Sequence, residues 1–228
     1  MKVTAFFVGP VQLSYFWETV VMNKTTERYS KEDLQEAVRV MREGGIILYP
    51  TDTVWGIGCD ATNAEAVERI YRLKKRADAK AMLCLLDAPG KIQGYVTQVP
   101  AIAWDLLACE DNSDSEMDDV EAPQPLTIIY PGAKNVAPNL LAEDGSLGIR
   151  ITQEPFSKAL CAQLRHPVVS TSANLSGSPA ARTFDEITDE ILSGVDYICH
   201  FRRNDRTPSK PSGIIKLGLN NEVQVIRK

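Results

Sequence analysis

From Ser30 onward, apolar positions recur with the spacing of regular elements, and their period changes along the chain. Leu34, Ala37, Val38 and Met41 fall on one helical face, Ser30 and Asp33 resemble a capping box with Asp in place of Glu, and Gly44-Gly45 ends the helix. A short apolar run then predicts a strand over 46–49. Val67, Ile70, Tyr71 and Lys74 follow at i, i+3, i+4 and i+7, which predicts a helix over 63–74. Further strands are expected at 82–86, 126–130, 147–151, 168–170, 197–199, 213–217 and 222–226. Helical turns are expected up to Leu107, with a helix over 156–164 and another after Thr183, where Glu186 completes a second capping box. Helices interleaved with short β-rich runs predict an α/β fold, a twisted mixed β-sheet flanked by helices. There is no internal repeat and no linker between two full domains.

Lys74 breaks this pattern because it prolongs an apolar stripe. An ammonium aimed at the fold needs a counter-charge or a water-filled cleft, since an unpaired buried charge costs several kcal/mol. A bound triphosphate is one partner of that kind. A lysine whose stem lies along the helix end while its head stays in water, favoured there by the helix dipole, is the other reading.

The composition narrows the class. With 228 residues, 44% hydrophobic and 24% charged, the chain can bury a sizeable core and is not disordered in character. It has no apolar run of membrane-spanning length. Cys59, Cys84, Cys109, Cys161 and Cys199 form no Cys-x-x-Cys, and the only histidines are His166 and His200. Buried free thiols in a reducing cytoplasm are expected, with neither a disulfide framework nor a metal site. The net charge of −5 is local in origin, because residues 110–121 carry seven carboxylates and no base, and without those seven the balance becomes +2. That acidic segment, 109–122, is expected to be a solvated loop.

The N-terminus divides the reading. Residues 1–21 contain Phe6, Phe7, Tyr15, Phe16 and Trp17 but are interrupted by Gly9-Pro10, and they form neither a signal-peptide core nor an amphipathic helix. They are expected to be an extension upstream of a domain spanning 22–228, with Met22 as a natural start; a first strand over 3–8 is the alternative.

Two hydroxyl-rich turns follow predicted strands. Pro50-Thr51-Asp52-Thr53-Val54-Trp55-Gly56-Ile57-Gly58 offers two hydroxyls beside glycines that permit close approach, and Ser170-Thr171-Ser172-Ala173-Asn174-Leu175-Ser176-Gly177 adds an amide. No Walker A or Rossmann glycine pattern is present. Between 200 and 212, Arg202, Arg203, Arg206 and Lys210 suit a basic lid, or an ordinary solvated connection.

Together these segments resemble the YrdC-like L-threonylcarbamoyladenylate (threonylcarbamoyl-AMP) synthases over nearly all of 30–227. The resemblance rests on the Pro-Thr-x-Thr-Val-x-Gly-x-Gly run, Lys74-Lys75-Arg76, Pro125-Leu126-Thr127, Gly148-Ile149-Arg150, Ser170 to Gly177, Pro211-Ser212-Gly213-Ile214-Ile215 and Val225-Ile226-Arg227. It implies a YrdC-like single domain of the short type and a nucleotidyltransferase that makes threonylcarbamoyl-AMP and pyrophosphate from L-threonine, bicarbonate and ATP. ATP would arrive with Mg2+ and no protein metal site. The product would serve the tRNA modification N6-threonylcarbamoyladenosine through transient contact with the threonylcarbamoyl-transfer machinery, in the cytoplasm and away from membranes. Carried over residue by residue, Lys74 and Arg76 are catalytic; Lys74, Arg76, Arg150, Ser170, Ser172, Asn174 and Arg227 bind ATP; and Thr51, Thr53 and Ser212 bind threonine.

Three segments depart from the family pattern: Pro123-Gln124-Pro125, Lys80-Ala81-Met82 and Ser212-Gly213-Ile214-Ile215-Lys216. They bear on the Thr127 loop and the Ser212 contact. A module that binds double-stranded RNA, tRNA or the ribosome without catalysis is the alternative function, and a balance of +2 supports it weakly. Removing residues 1–21 is expected to leave cooperative thermal unfolding and activity unchanged; a truncated protein that melts without a cooperative transition would place the N-terminal aromatics in the core.

Overall fold

In the computed structural model, residues 29–75, 82–111, 124–207 and 211–228 are described, with side chains excluded at 109–111. The expectations for 1–28 (the extension, Met22 and the 3–8 strand) lie outside these residues, as do those for the acidic segment from 112, Arg76 and Lys210. So does the side chain of Cys109.

Ser30 starts the first helix, α1 (Lys31–Arg42), by accepting the Asp33 N–H at 3.1 Å. The returning half of the expected capping box is not formed. Asp33 instead accepts from the Tyr197 hydroxyl at 2.7 Å and from the backbone N–H groups of His200 at 2.9 Å and Phe201 at 3.1 Å. These donors belong to chain leaving the sheet, and a buried N–H without a ladder partner must find an acceptor elsewhere. Burial pushes the Asp33 carboxyl up, but these hydrogen bonds outweigh it and hold the group below its ordinary value.

Strand β1 (Ile47–Tyr49) is buried on both faces, which explains its unbroken apolar run. Ile47 and Tyr49 pack with Leu34, Val38 and Met41 of α1, whereas Ile46 and Leu48 face Val67 and Ile70 of α2 (Ala64–Leu73) across the sheet. Asn63 caps α2 by accepting from Glu65 and Ala66 N–H at 3.1 and 3.0 Å. The predicted stripe holds, with Val67, Ile70 and Tyr71 all buried.

Between them lies β2 (Gly56–Gly58), which the sequence pattern assigned to a loop. Two glycines in three residues carry little strand preference; the segment is a strand because β1 and β6 (Val168–Ser172) pair with its two edges. Gly58 is required by crowding, since a Cβ there would lie 2.5 Å from the Val169 carbonyl oxygen and 2.6 Å from the Tyr49 ring.

The remaining elements are β3 (Leu83–Leu86), a 3-10 turn at Pro89–Gly94, α3 (Ala101–Asp111), β4 (Leu126–Tyr130), β5 (Leu147–Ile151), α4 (Pro155–Leu164), α5 (Asp189–Gly194), β7 (Tyr197–Ile198), β8 (Gly213–Leu217) and β9 (Val223–Arg227). The helix expected directly after Thr183 is a short 3-10 turn, Phe184–Glu186, with α5 beginning later. Glu186 accepts from the Arg182 N–H at 2.8 Å and pairs with its guanidinium, so it is not available to cap Thr183.

The described strands form one mixed sheet in the order β7-β1-β2-β6-β3-β5-β4-β8-β9. Pairs β1–β7, β3–β5 and β4–β8 are parallel, and the other neighbours run antiparallel. One core lies between the sheet and α1 and α4, and the larger one covers the opposite face. Cys59, Cys84, Cys161 and Cys199 are buried free thiols whose pKa values burial raises. Among the described residues, no helix is long and apolar enough to cross a membrane.

Asp33→Asn should lower stability by about 1–3 kcal/mol, because Asn presents its amide N–H2 to some of the donors that the carboxylate accepts. Asp33 is depressed in the folded state, so its contribution is present above the unfolded carboxylate value of about 3.9 and fades as pH falls through the lower folded value. Thermal melts should show the wild-type advantage at neutral pH shrinking on acidification, and a pH-independent gap between the two proteins would contradict this.

Candidate active site

On the face shared with α1 and α4, the β3–β5–β4 register sets Leu83, Gly148 and Ile129 in one row across the sheet. Beyond the helices, this row floors a cavity of about 340 Å3. Its walls come from five places in the chain: Thr51 and Thr53 from the bend after β1, Ser170 and Ser172 from β6, Arg150 from β5, Thr127 from β4, and Ser212 and Arg227 from the β8–β9 end. The strand order explains the convergence, because β8 docks in parallel beside β4 and carries β9 with it.

Thr51 is fixed from several sides. Its hydroxyl donates to the Val54 carbonyl at 2.7 Å, lies 3.1 Å from the Thr53 hydroxyl and accepts the Thr53 N–H at 3.1 Å. Just before it, the Ser157 hydroxyl donates to the Pro50 carbonyl at 2.7 Å. The bend is therefore preorganised, with both threonines buried against the cavity.

At the opposite wall, Thr127 and Ser212 hydroxyls meet at 2.9 Å, and Arg227 Nε donates to the Ser212 carbonyl at 2.8 Å. Within one of the departures from the family pattern, Gln124 Nε2 donates to the Pro211 carbonyl at 2.7 Å and so helps to seat the β8 entrance on β4. Burial, and then the nearby Arg150 charge, lower the Arg227 pKa. Among the described residues that line the cavity, none is a carboxylate.

Arg150 is 3% exposed and forms an ion pair with Asp52 Oδ1 at 2.8 Å. Sequence reasoning passed over Asp52 because, between two threonines, it read as turn chemistry. Its pairing with a residue on β5 is a product of the tertiary fold, and the clue available in the chain was the one acid inside a hydroxyl-rich turn.

Lys74 caps α2 and turns inward as its stripe position predicted, to 2% exposure. Its ammonium donates to the carbonyl oxygens of Asn174, at 2.6 Å, and Ser172. The Ser176 N–H returns a bond to the Lys74 carbonyl at 2.9 Å, and Asn174 Nδ2 donates to the Ser178 carbonyl at 2.6 Å. The structure thus brings Lys74, Ser172 and Asn174 together. Ser172 lines the cavity; Lys74 and Asn174 lie behind it, tying down the loop.

Among the described residues of the basic segment after β7, each arginine already has a partner. Arg202 pairs with Asp205 at 2.8 Å and donates to the Thr51 carbonyl at 3.1 Å; Arg206 pairs with Asp185 at 2.6 Å. Arg203 donates to the Cys199 carbonyl at 2.7 Å and sits 5.3 Å over the Phe184 ring. Arg202 thus buttresses the Thr51 bend, which fits a fixed connection better than a basic lid. Among the described residues, no three His, Cys, Asp or Glu gather as a metal site.

The Sua5/YciO/YrdC family model, described as telomere recombination, matches residues 39–228. A threonylcarbamoyl-AMP synthase of Nitrosococcus oceani is 35% identical over 71% of this chain and 82% of its own length. One from Idiomarina loihiensis is 33% identical over 84% and 96%. The crystal structure of E. coli YciO superposes with a TM-score of 0.72 at 28% identity, covering 87% of this chain and 90% of that one. P. abyssi Sua5 complexed with L-threonine shares the fold, with a TM-score of 0.70 at 21% identity; 84% of this chain is covered but only 52% of Sua5, about half its length.

Lys74→Ala should destabilise the ligand-free protein by about 1–3 kcal/mol, since it leaves two inward carbonyls without their donor. An inward lysine that only awaits a ligand would instead leave the alanine variant unchanged or slightly more stable. A melting temperature equal to that of wild type would show that the two carbonyls find other donors.

Proposed function

As the chain belongs to the Sua5/YciO/YrdC family, we propose that the cavity makes threonylcarbamoyl-AMP and pyrophosphate from L-threonine, bicarbonate and ATP. One observation carries the reading at the level of residues. The positions that the family resemblance assigned separately, Thr51, Thr53, Arg150, Ser170, Ser172, Ser212 and Arg227, line one cavity. Its volume falls within the roughly 300–1,000 Å3 usual for small-molecule sites.

In the proposed reaction, the threonine amine combines with bicarbonate to give a carbamate and water. A carbamate oxygen then attacks the α-phosphorus of ATP, the bond to the bridging oxygen breaks, and pyrophosphate leaves with that electron pair. No covalent enzyme intermediate is needed. The protein's task is to hold the reactants in line and to stabilise negative charge that builds on the phosphates. Arg150 and Arg227 supply fixed cations on the cavity wall, and Arg76 is assigned a third from outside the described residues. The hydroxyls of Thr51, Thr53 and Ser212 are assigned to threonine, and Ser170 and Ser172 to the nucleotide. Lys74 and Asn174 act on the nucleotide by holding the Ser172 loop. A lining without carboxylates suits Mg2+ brought by the phosphates. Carbamates decompose in water, so the preorganised, partly enclosed wall also limits their loss.

The labile product would pass in the cytoplasm to a partner that transfers the threonylcarbamoyl group to tRNA. An RNA-binding module is not favoured, because Arg150 is buried and Arg182, Arg202 and Arg206 are each paired with an acid.

The test is pyrophosphate release from ATP, with and without threonine and bicarbonate. Release should require both. Arg227→Ala and Arg76→Ala should each reduce it by on the order of a hundredfold or more while the fold is retained, as for the loss of a preorganised charge. Undiminished release in both variants would remove these residues from the chemistry, and release that ignores threonine would reject the reaction.

A further inference from the structure

Arg150 and Asp52 form an unusual pair. Both are withdrawn from water, with 3% and 10% of their side chains exposed, and their charged atoms lie 2.8 Å apart. Yet Arg150 Nε and Asp52 Oδ1 each remain without a directed hydrogen bond. Charge alone thus makes up much of the contact. A guanidinium has five donors arranged to meet an oxyanion in a two-pronged fashion, and a pair that leaves Nε unused satisfies it poorly.

The surroundings sharpen the imbalance. Arg227 lines the same cavity and feels the Arg150 charge, while no carboxylate lines the wall among the described residues. Asp52 contacts Arg150 from the Thr51–Thr53 bend, which Val54 and Ser157 hold in place through Thr51 and Pro50. It is therefore a fixed anion, unable to follow Arg150 if the guanidinium turns toward a ligand.

We propose that Asp52 is a positioning residue that serves as the built-in counter-ion of Arg150, holding the guanidinium at the cavity wall and competing with the incoming phosphate oxyanion for it. The inference rests on the reading of the cavity as an ATP site and adds a control on affinity. With Asp52 present, an anion gains only the difference between its own contact with Arg150 and the one Asp52 already makes. Pyrophosphate therefore leaves after turnover instead of remaining on two unopposed guanidiniums.

Isothermal titration of the full chain with inorganic pyrophosphate, alongside steady-state kinetics with ATP, tests this. Asp52→Asn removes the charge with little change of shape. Pyrophosphate should bind about tenfold tighter or more, the scale of one unit charge acting over several ångströms at a protein-like dielectric. KM for ATP should fall, and kcat should fall at least tenfold as product release slows. Asp52→Glu, which restores the carboxylate, should return both values toward wild type. A merely structural Asp52 gives the opposite outcome: pyrophosphate binding unchanged or weaker, with KM not lowered. If Asp52→Asn folds only with pyrophosphate present, the counter-ion role is supported; failure to fold even at saturating pyrophosphate counts against it. Wild-type protein that binds neither ATP nor pyrophosphate would instead overturn the reading of the cavity itself.

Discussion

Arg150 reaches the cavity from the middle of the sheet with almost none of its side chain in water, and a charge so withdrawn must be answered nearby. Asp52 answers it from another strand connection. The bend that carries Asp52 must then be held rigidly, and it is: the Thr51 hydroxyl closes the turn, Ser157 of α4 holds the Pro50 carbonyl, and Arg202 holds that of Thr51. Arg202 is itself placed by the chain leaving β7, which Asp33 secures to the start of α1. One buried charge thus draws support from α1, α4, β7 and the bend after β1.

The elements that define the sheet and its covering helices were legible where local pattern and tertiary need agree. The α1 and α2 stripes face the two cores, and β1 reads as apolar throughout because helices cover it on both sides. Elsewhere the deciding partner lies far along the chain. Gly56-Ile57-Gly58 is a strand because β1 and β6 take its two edges, and β6 arrives more than a hundred residues later in sequence. The Ser30 cap was legible, but Asp33 was drawn away by donors near residue 200, and Glu186 was taken by Arg182.

At the site, position was easier to read than partnership. The stripe correctly turned Lys74 inward, but nothing local tells an ammonium that meets phosphate oxygens from one that meets carbonyls. Here carbonyls of the Ser172–Asn174 loop present the negative ends of their dipoles to the ammonium. The arginines after β7 show the same limit: their density suggested a basic surface, yet acids close in sequence or space occupy Arg202 and Arg206, and backbone carbonyls and the Phe184 ring hold Arg203. Asp52 shows the converse, a turn residue by context that becomes the partner of a buried cation through topology.

The parallel docking of β8 beside β4 has a further consequence. Ser212 and Arg227 complete a wall whose other members begin at Thr51, so no contiguous portion of the chain contains the site. A nascent chain can form the β1–β2 hairpin and helix α2 early, but its cavity stays open on one side until the last hairpin pairs. Such long-range closure is slow relative to local structure. Completion of the cavity therefore reports completion of the whole sheet, and a molecule interrupted during synthesis carries the Ser172–Asn174 loop without the wall that faces it.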